Sequence, residues 1–243
     1  MADGARRTVG VMGGMGPDAT VDFMTKVIAL TDSGRDQDHV HMLVDHDPTV
    51  PNRQLAISSG VDDVSQRLAD MACRLESAGA DFLVMVCNTA HVFMSDALDA
   101  TSIPFISIID ESVGEIERLC PAARKVGVMA TDGCIETSIY QGAISASGRT
   151  ALIPDSANMS KLMKLINAIK AGDQSDEVVN GMESVAHTLV DAGAEVIIAG
   201  CTEIPIVFEG VGFPVPVVAS TNVLARRTVE IAMGRSPSPN NPI

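Results

Sequence analysis

Two cysteines stand in matching surroundings. Cys87 closes the apolar run of "VMVCNTAH" (84–91), and Cys201 closes that of "EVIIAGCTE" (195–203). A polar pair follows each sulfur, Asn88–Thr89 in one case and Thr202–Glu203 in the other. A thiol ordinarily titrates at about 8.5, close enough to neutrality for its neighbours to poise it as acid or base. Two such groups on opposite faces of one carbon suit a nearly symmetric reaction, in which a thiolate takes a proton from one face and a thiol returns one to the other. Racemisation is a reaction of this kind. Its hard step is removal of an amino acid's α-proton, and the charge that then spreads onto the carboxylate needs preorganised donors. The side chains of Asn88, Thr89 and Thr202, with the backbone N–H groups of the helix starts that follow, are of the right type.

The chain around these residues alternates short β-branched runs with longer helical periods, the pattern of parallel α/β structure. Strands are expected at 7–12, 40–45, 81–86 and 103–108, and again at 124–129, 150–154, 195–200 and 215–218. Helices are expected after Pro17, from Val61 to Ala78, over 110–120, after Thr131, through 160–170 and 176–191, and from about Thr221. The halves also repeat. "GADFLVMVCNT" (79–89) lies over "GAEVIIAGCTE" (193–203) at a shift of 114, which superposes Cys87 on Cys201. "VGVMGG" (9–14) lies over "VGVMAT" (126–131) at 117, and "IPFI" (103–106) over "VPVV" (215–218) at 112. Three matches in one order at nearly one offset point to two related halves. In parallel sheets ligands sit beyond the C-terminal ends of strands, where each cysteine falls.

Composition narrows the function classes. The 243 residues are 46% hydrophobic and 20% charged, enough for a substantial core. A net charge of −14 argues against a nucleic-acid partner, because phosphate binding needs a basic footprint. No run of about 18 apolar residues suggests a membrane span, and "MADGARR" is followed by no signal-like apolar region. The expected compartment is the cytoplasm. Five cysteines without C-x-x-C spacing read as free thiols rather than a disulfide framework or zinc site.

Other residues receive plainer readings. "GMGPDA" (14–19) satisfies G-x-G-x-x-A after a strand, but no acidic residue falls cleanly at the end of a second strand, and a nucleotide would not explain the paired cysteines. The loop is read as a substrate-binding turn lined by Met15. His39 and His41 share one face of the second expected strand, and with His46 they lack a further ligand for a metal. His91 is read as a support for the Cys87 loop, and Glu203 as orienting Thr202 or Cys201 or capping the turn. Cys73 and Cys120 read as buried inert thiols, and Cys134 as packing near a helix start.

"GVMGGMGPDAT" (10–20), "VCNTAH" (86–91) and "IIAGCTEI" (197–204) resemble three signatures of the cofactor-independent aspartate/glutamate racemase family, closest to its aspartate racemase branch. The resemblance spans Val9 to about Val218. It implies two similar parallel-sheet α/β domains about a pseudo-two-fold axis, with the active site in the cleft between them. It implies no cofactor or metal, a homodimer, a small acidic amino-acid substrate, and Cys87 and Cys201 as the two bases. "PNRQ" (51–54) matches the loop bearing the family arginine, giving Arg53, and "IKAG" (169–172) the segment bearing its lysine, giving Lys170 with Lys161 and Lys164 nearby. With Met15, Asn88, Thr89, Thr131 and Thr202 these complete the expected substrate contacts. The lobes are drawn as 1–113 with 214–235, and 114–213, followed by a flexible tail at 236–243. Hydantoin racemase and maleate isomerase are neighbouring chemistries on related cysteines, and a non-catalytic carboxylate binder is the reading from a different class.

Overall fold

The computed structural model describes residues 6–208 and 212–237. It divides into two compact units, one running to Ile108 and resuming at Thr221, the other Ile109–Ser220. Along the first, β1 (Val9–Gly13) leads to α1 (Pro17–Thr31), β2 (Met42–His46), α2 (Arg53–Ser59), α3 (Ser65–Ser77), β3 (Phe82–Met85), a 3₁₀ turn (Thr89–Phe93), α4 (Ser95–Asp99) and β4 (Phe105–Ile106). The chain continues through α5 (Ile108–Leu119), β5 (Lys125–Ala130), α6 (Asp132–Glu136), α7 (Ile139–Ala146), β6 (Thr150–Leu152), α8 (Ser156–Lys170), α9 (Asp176–Asp191), β7 (Val196–Gly200), α10 (Ile204–Phe208) and β8 (Val217–Ala219). It ends in α11 (Ser220–Ala232).

Each unit holds a parallel four-stranded sheet, in the orders β2-β1-β3-β4 and β6-β5-β7-β8, so the α/β class read from the sequence is the class observed. β1, β3 and β7 are buried throughout, as apolar strands covered by helices on both faces should be. The sequence repeat reappears as strand register. Gly10 pairs with Leu83 and Gly127 with Ile197, while Leu83 pairs with Phe105 and Ile197 with Val217. These are the shifts of 117, 114 and 112 seen in the sequence. The two glycines also serve the same packing purpose. A Cβ on Gly10 would meet Leu83, Ala80 and Leu75, and one on Gly127 would meet Ala194, Leu189 and Ile197. Without a side chain, each first strand lets α3 or α9 lie close against it.

The unit boundaries fall at 108/109 and 220/221 rather than 113/114 and 213/214. β8 hydrogen-bonds along β7, which keeps 217–219 with the second sheet, and α5 is one continuous helix that does not divide at 113. In each half the helix after the fourth strand is counted with the other unit.

Several elements differ from expectation. α3 begins at Ser65, not Val61, because the Asp62 carboxylate accepts from the N–H groups of Val64 (3.1 Å) and Ser65 (2.9 Å). The helix after Thr131 is broken by Ser138 in the left-handed region (φ 57°), which separates α6 from α7. His39 and His41 precede β2, so they do not share a strand face. His39 ends a 3₁₀ turn at Asp36–Asp38, and His41 Nδ1 lies 3.2 Å from Thr8 Oγ1. Of the tail expected at 236–243, residues 238–243 lie outside the described residues. Ser236 and Pro237 are tied down, Ser236 Oγ and the Pro237 carbonyl (3.0 Å) both accepting from Arg227.

Candidate active site

In a sheet ordered 2-1-3-4, the connections from β1 and β3 leave in opposite directions, and ligands gather beyond the strand ends at that switch. Met12 pairs with Met85, and Val86 N donates to Met12 O (3.0 Å), so Gly13–Met15 and Cys87–Thr89 leave the first sheet side by side. In the second sheet Ala130 pairs with Gly200, which makes Thr131 and Cys201 the next residues out.

Cys87, Asn88, Thr89 and Met15 are all buried at the first switch, and Met15 and Cys87 share one apolar cluster with Val50 and Ala90. Gly14 has φ +90°, and a Cβ there would lie 2.5 Å from the Asp47 carbonyl carbon. Its N–H donates to Thr20 Oγ1 (2.9 Å). Close backbone packing therefore accounts for this glycine of "GMGPDA" without a nucleotide.

His91, in the 3₁₀ turn, folds back on the strand end. Its Nδ1 lies 2.8 Å from the Cys87 carbonyl oxygen, and its Nε2 lies 3.2 Å from the backbone nitrogen of Ile108. A backbone N–H can only donate, so Nε2 accepts and the ring proton sits on Nδ1, donating to Cys87 O. Burial of the imidazole lowers its pKa to about 4, which keeps it neutral.

Arg53 opens α2, whose N-terminus is capped by Asn52 Oδ1 accepting from Leu55 N (3.1 Å). The guanidinium is braced by Nη1 donating to the carbonyls of Val50 (3.0 Å) and Pro51 (2.8 Å), while Nε is buried without a hydrogen-bond partner. Because α2 packs against the 3₁₀ turn, Arg53 belongs to the same end of the first sheet as Cys87.

In the second unit Cys201, Thr202 and Glu203 are buried together. Cys201 Sγ donates to Glu203 Oε2 at 2.9 Å, and Thr202 Oγ1 donates to the same oxygen at 3.2 Å. The other oxygen, Oε1, is buried without a hydrogen bond and lies 3.9 Å from Lys170 Nζ. Burial pushes the Cys201 thiol well above its ordinary range, the Glu203 charge pushes it further, and Lys170 partly offsets both. Of the three lysines on α8, Lys170 is the one that meets this segment: Lys161 Nζ donates to Ser184 Oγ (3.0 Å) and Lys164 is exposed. Thr131 caps α6, its Oγ1 accepting from Cys134 N (3.4 Å).

The structure thus groups Met15, Arg53, Cys87, Asn88 and Thr89 in the first unit, and Lys170, Cys201 and Thr202 in the second, with Thr131 beside Cys201 by register. Thr202 spends its hydroxyl proton on Glu203 instead of holding it ready as a free donor. The structures after the cysteines are short, a five-residue 3₁₀ turn and the five-residue α10, rather than long helices. Cys134 is buried, as read from the sequence, but Cys73 is exposed: α3 turns Leu68, Met71, Ala72 and Leu75 inward, and position 73 falls on the outer face. Among the described residues no group of His, Cys, Asp and Glu could hold a metal ion, and no helix is long and apolar enough to cross a membrane. One neighbour escaped the sequence reading. Tyr140 on α7 is fully buried, hydrogen-bonded to Ser112 and Ser220, and a Cβ on Gly200 would lie 2.6 Å from its ring. The glycine immediately before Cys201 was the available signal.

Comparison with known proteins agrees with this fold. The family described as Asp/Glu/Hydantoin racemase matches residues 12–228. The broad specificity amino-acid racemase RacX of Bacillus subtilis (strain 168) is 29% identical over 225 residues, covering 91% of this chain and 96% of that protein. Picrophilus torridus aspartate racemase superposes with a TM-score of 0.83 at 27% identity, covering 93% of this chain and 94% of that one. An aspartate racemase homologue from Pyrococcus horikoshii OT3, at 22% identity and a TM-score of 0.75, shares the fold over 93% of this chain and 99% of its own.

Proposed function

The chain belongs to the Asp/Glu/hydantoin racemase family, and from that premise we propose that it is a pyridoxal-independent amino-acid racemase with Cys87 and Cys201 as its two bases. The observation that carries this reading is that two sheets of identical strand order each deliver a buried cysteine at the same switch point. In this reading the protein acts as a cytoplasmic homodimer. A thiolate removes the α-proton from one face, and the opposite thiol delivers a proton to the other. Asn88 and Thr89 side chains and backbone N–H groups meet the charge that develops on the carboxylate.

Arg53, braced by its own loop, fits the side-chain carboxylate of aspartate or glutamate, since a fixed guanidinium recognises a carboxylate in two-point fashion. One observation favours a wider substrate range. Lys170 stands against Glu203, so its charge is already partly balanced before any substrate arrives. The relative named a broad specificity racemase points the same way.

The test is incubation of each proteinogenic L-amino acid with the protein in heavy water, followed by proton NMR and chiral chromatography. The reading expects α-deuterium and the antipode to appear together, with aspartate or glutamate among the substrates. A ligand that raises the melting temperature without any α-exchange would instead identify a carboxylate-binding protein.

A further inference from the structure

We propose that Tyr140 is a positioning residue for Cys201, its ring seating the turn that carries the thiol and its hydroxyl fixing the ring. The consequence for turnover rests on the racemase reading, but the seat itself is a property of the second unit alone.

The internal repeat separates the work of the ring from that of the hydroxyl. The shift of 117 that lays β5 over β1 also lays Thr137 over Thr20 and Tyr140 over Phe23. The structure keeps this correspondence: Thr20 Oγ1 donates to Gly16 O (3.1 Å), and Thr137 Oγ1 donates to Gly133 O (2.6 Å). Phe23 and Tyr140 are both fully buried. An apolar ring therefore satisfies the packing in the first half, and the second half adds a hydroxyl to it. Tyr140, Ser112 and Ser220 are all fully buried, and a hydroxyl taken out of water is costly unless it is bonded. The phenol bonds to both serines, and burial pushes it further from ionisation, so it keeps its proton. A buried polar network that is fully satisfied specifies one arrangement of its side chains.

What the arrangement holds is the end of β7. Gly200 is the last residue of that strand, and Cys201 is the next one out. A Cβ at position 200 would lie 2.6 Å from Tyr140 Cε2 and 3.0 Å from Cζ, so the ring rests on the backbone with no side chain between them. The phenol is also within electrostatic reach of Cys201 and of Cys134 on α6. Ser112 lies early in α5 and Ser220 opens α11. The chain enters the second unit after Ile108 and leaves it after Ser220. One hydroxyl thus fastens the first and last segments of this unit to the turn that bears the thiol. Cys201 has to meet one face of the substrate's α-carbon, where a misplacement of about 1 Å costs on the order of 100-fold.

The experiment has one arm that needs no turnover. Alkylation of Cys87, Cys134 and Cys201 by iodoacetamide is followed together, peptide by peptide, by mass spectrometry in the wild type and Tyr140→Phe. Cys201 should react about fivefold faster in the variant, the scale of one buried hydrogen bond, with Cys87 and Cys134 unchanged. The second arm measures α-deuterium uptake from each enantiomer. For the enantiomer that Cys201→Ala no longer exchanges, kcat should fall about fivefold with KM retained, and uptake from its antipode should hold. A loss of packing alone would move all three thiols and both enantiomers alike. An unmoved Cys201 rate, equal changes at all three thiols, or equal loss of uptake from both enantiomers overturns the proposal. If Tyr140→Phe fails to fold, Ser112→Ala and Ser220→Ala each remove one bond to the phenol, and a Cys201 rate unmoved in both overturns it. Absence of deuterium uptake in the wild type would instead count against the racemase reading and leave the alkylation arm standing.

Discussion

The imidazole of His91 bridges two backbone groups: its Nδ1–H donates to the carbonyl of Cys87 at 2.8 Å, and its Nε2 accepts from the N–H of Ile108 at 3.2 Å. The ring thus ties the cysteine turn to the start of α5, where the first segment of the first unit ends. Protonation would put a hydrogen on Nε2 against a donor and place a charge in the core. The folded pKa is about 4, below the ordinary 6.5, so between these values the unfolded chain binds the extra proton. The contribution to stability is therefore complete above about pH 6.5 and lost as pH falls towards 4, to a total on the order of 3 kcal/mol. The carboxylates held low by their own hydrogen bonds, such as Asp47 and Asp62, lose their contribution at still lower pH. Melting temperatures between pH 7.5 and 4.5 should fall steeply in the wild type and less steeply in His91→Gln. Parallel slopes would show that the ring is not the group responsible.

Removing either thiol separates proton abstraction from inversion. Cys87→Ala and Cys201→Ala should each lose at least about 100-fold in racemisation, the usual scale for a general acid or base. Each variant should still exchange the α-proton of one enantiomer, a different one in each case, because one base remains on one face. Chiral chromatography with deuterium NMR reads both quantities. Exchange of the same enantiomer by both variants would contradict the assignment of opposite faces.

Arg53 discriminates between an acidic and a broad substrate range. Nη1 is occupied by the Val50 and Pro51 carbonyls, so the remaining face of the guanidinium is what a ligand can meet. Loss of a charge-assisted contact in Arg53→Met should raise KM for aspartate roughly 10- to 100-fold. KM for alanine, which has no side-chain carboxylate, should change little. An equal rise for both amino acids would mean that Arg53 holds the loop rather than the substrate.

The glycines of the two first strands predict a graded cost. Alanine in a strand is ordinarily preferred to glycine by about 0.5–1 kcal/mol. At Gly10 the new methyl would meet Leu83 Cδ2 at 2.7 Å, Ala80 Cβ at 2.9 Å and Leu75 Cβ at 3.1 Å. The Ala80 atom cannot rotate away, and overpacking of this kind costs about 1–3 kcal/mol. At Gly127 the nearest atom is 3.1 Å away, so a small adjustment suffices. Gly10→Ala should lower the urea midpoint clearly and Gly127→Ala only slightly. The reverse order would mean that α9 is held more rigidly than α3.

Much of the fold was legible in the sequence because its signals are local. Strands buried on both faces read as unbroken apolar runs, and helices betray themselves by a 3.6-residue period. Short elements carry no such period. α2, α4, α10 and the 3₁₀ turn at 89–93 are too brief to show one, and α6 and α7 merged in the reading because nothing local marks Ser138 as left-handed. Cys73 was misread for a related reason. A cysteine's type is compatible with either face of a helix, and only the packing of Leu68, Met71 and Leu75 decides which one it takes.

By itself the sequence determined the two-sheet α/β plan, the internal repeat, and a cysteine at the end of each third strand, because those properties follow from residue type and spacing along one stretch of chain. Tertiary structure alone decided the partners of those cysteines. His91 turning back on Cys87, Glu203 accepting the Cys201 hydrogen bond, Lys170 rather than Lys161 or Lys164 reaching Glu203, and Tyr140 filling the space beside Gly200 all depend on how turns and helices pack at a strand end. Such contacts join residues up to dozens of positions apart, and a linear pattern carries no record of which of several chemically equivalent side chains will arrive there.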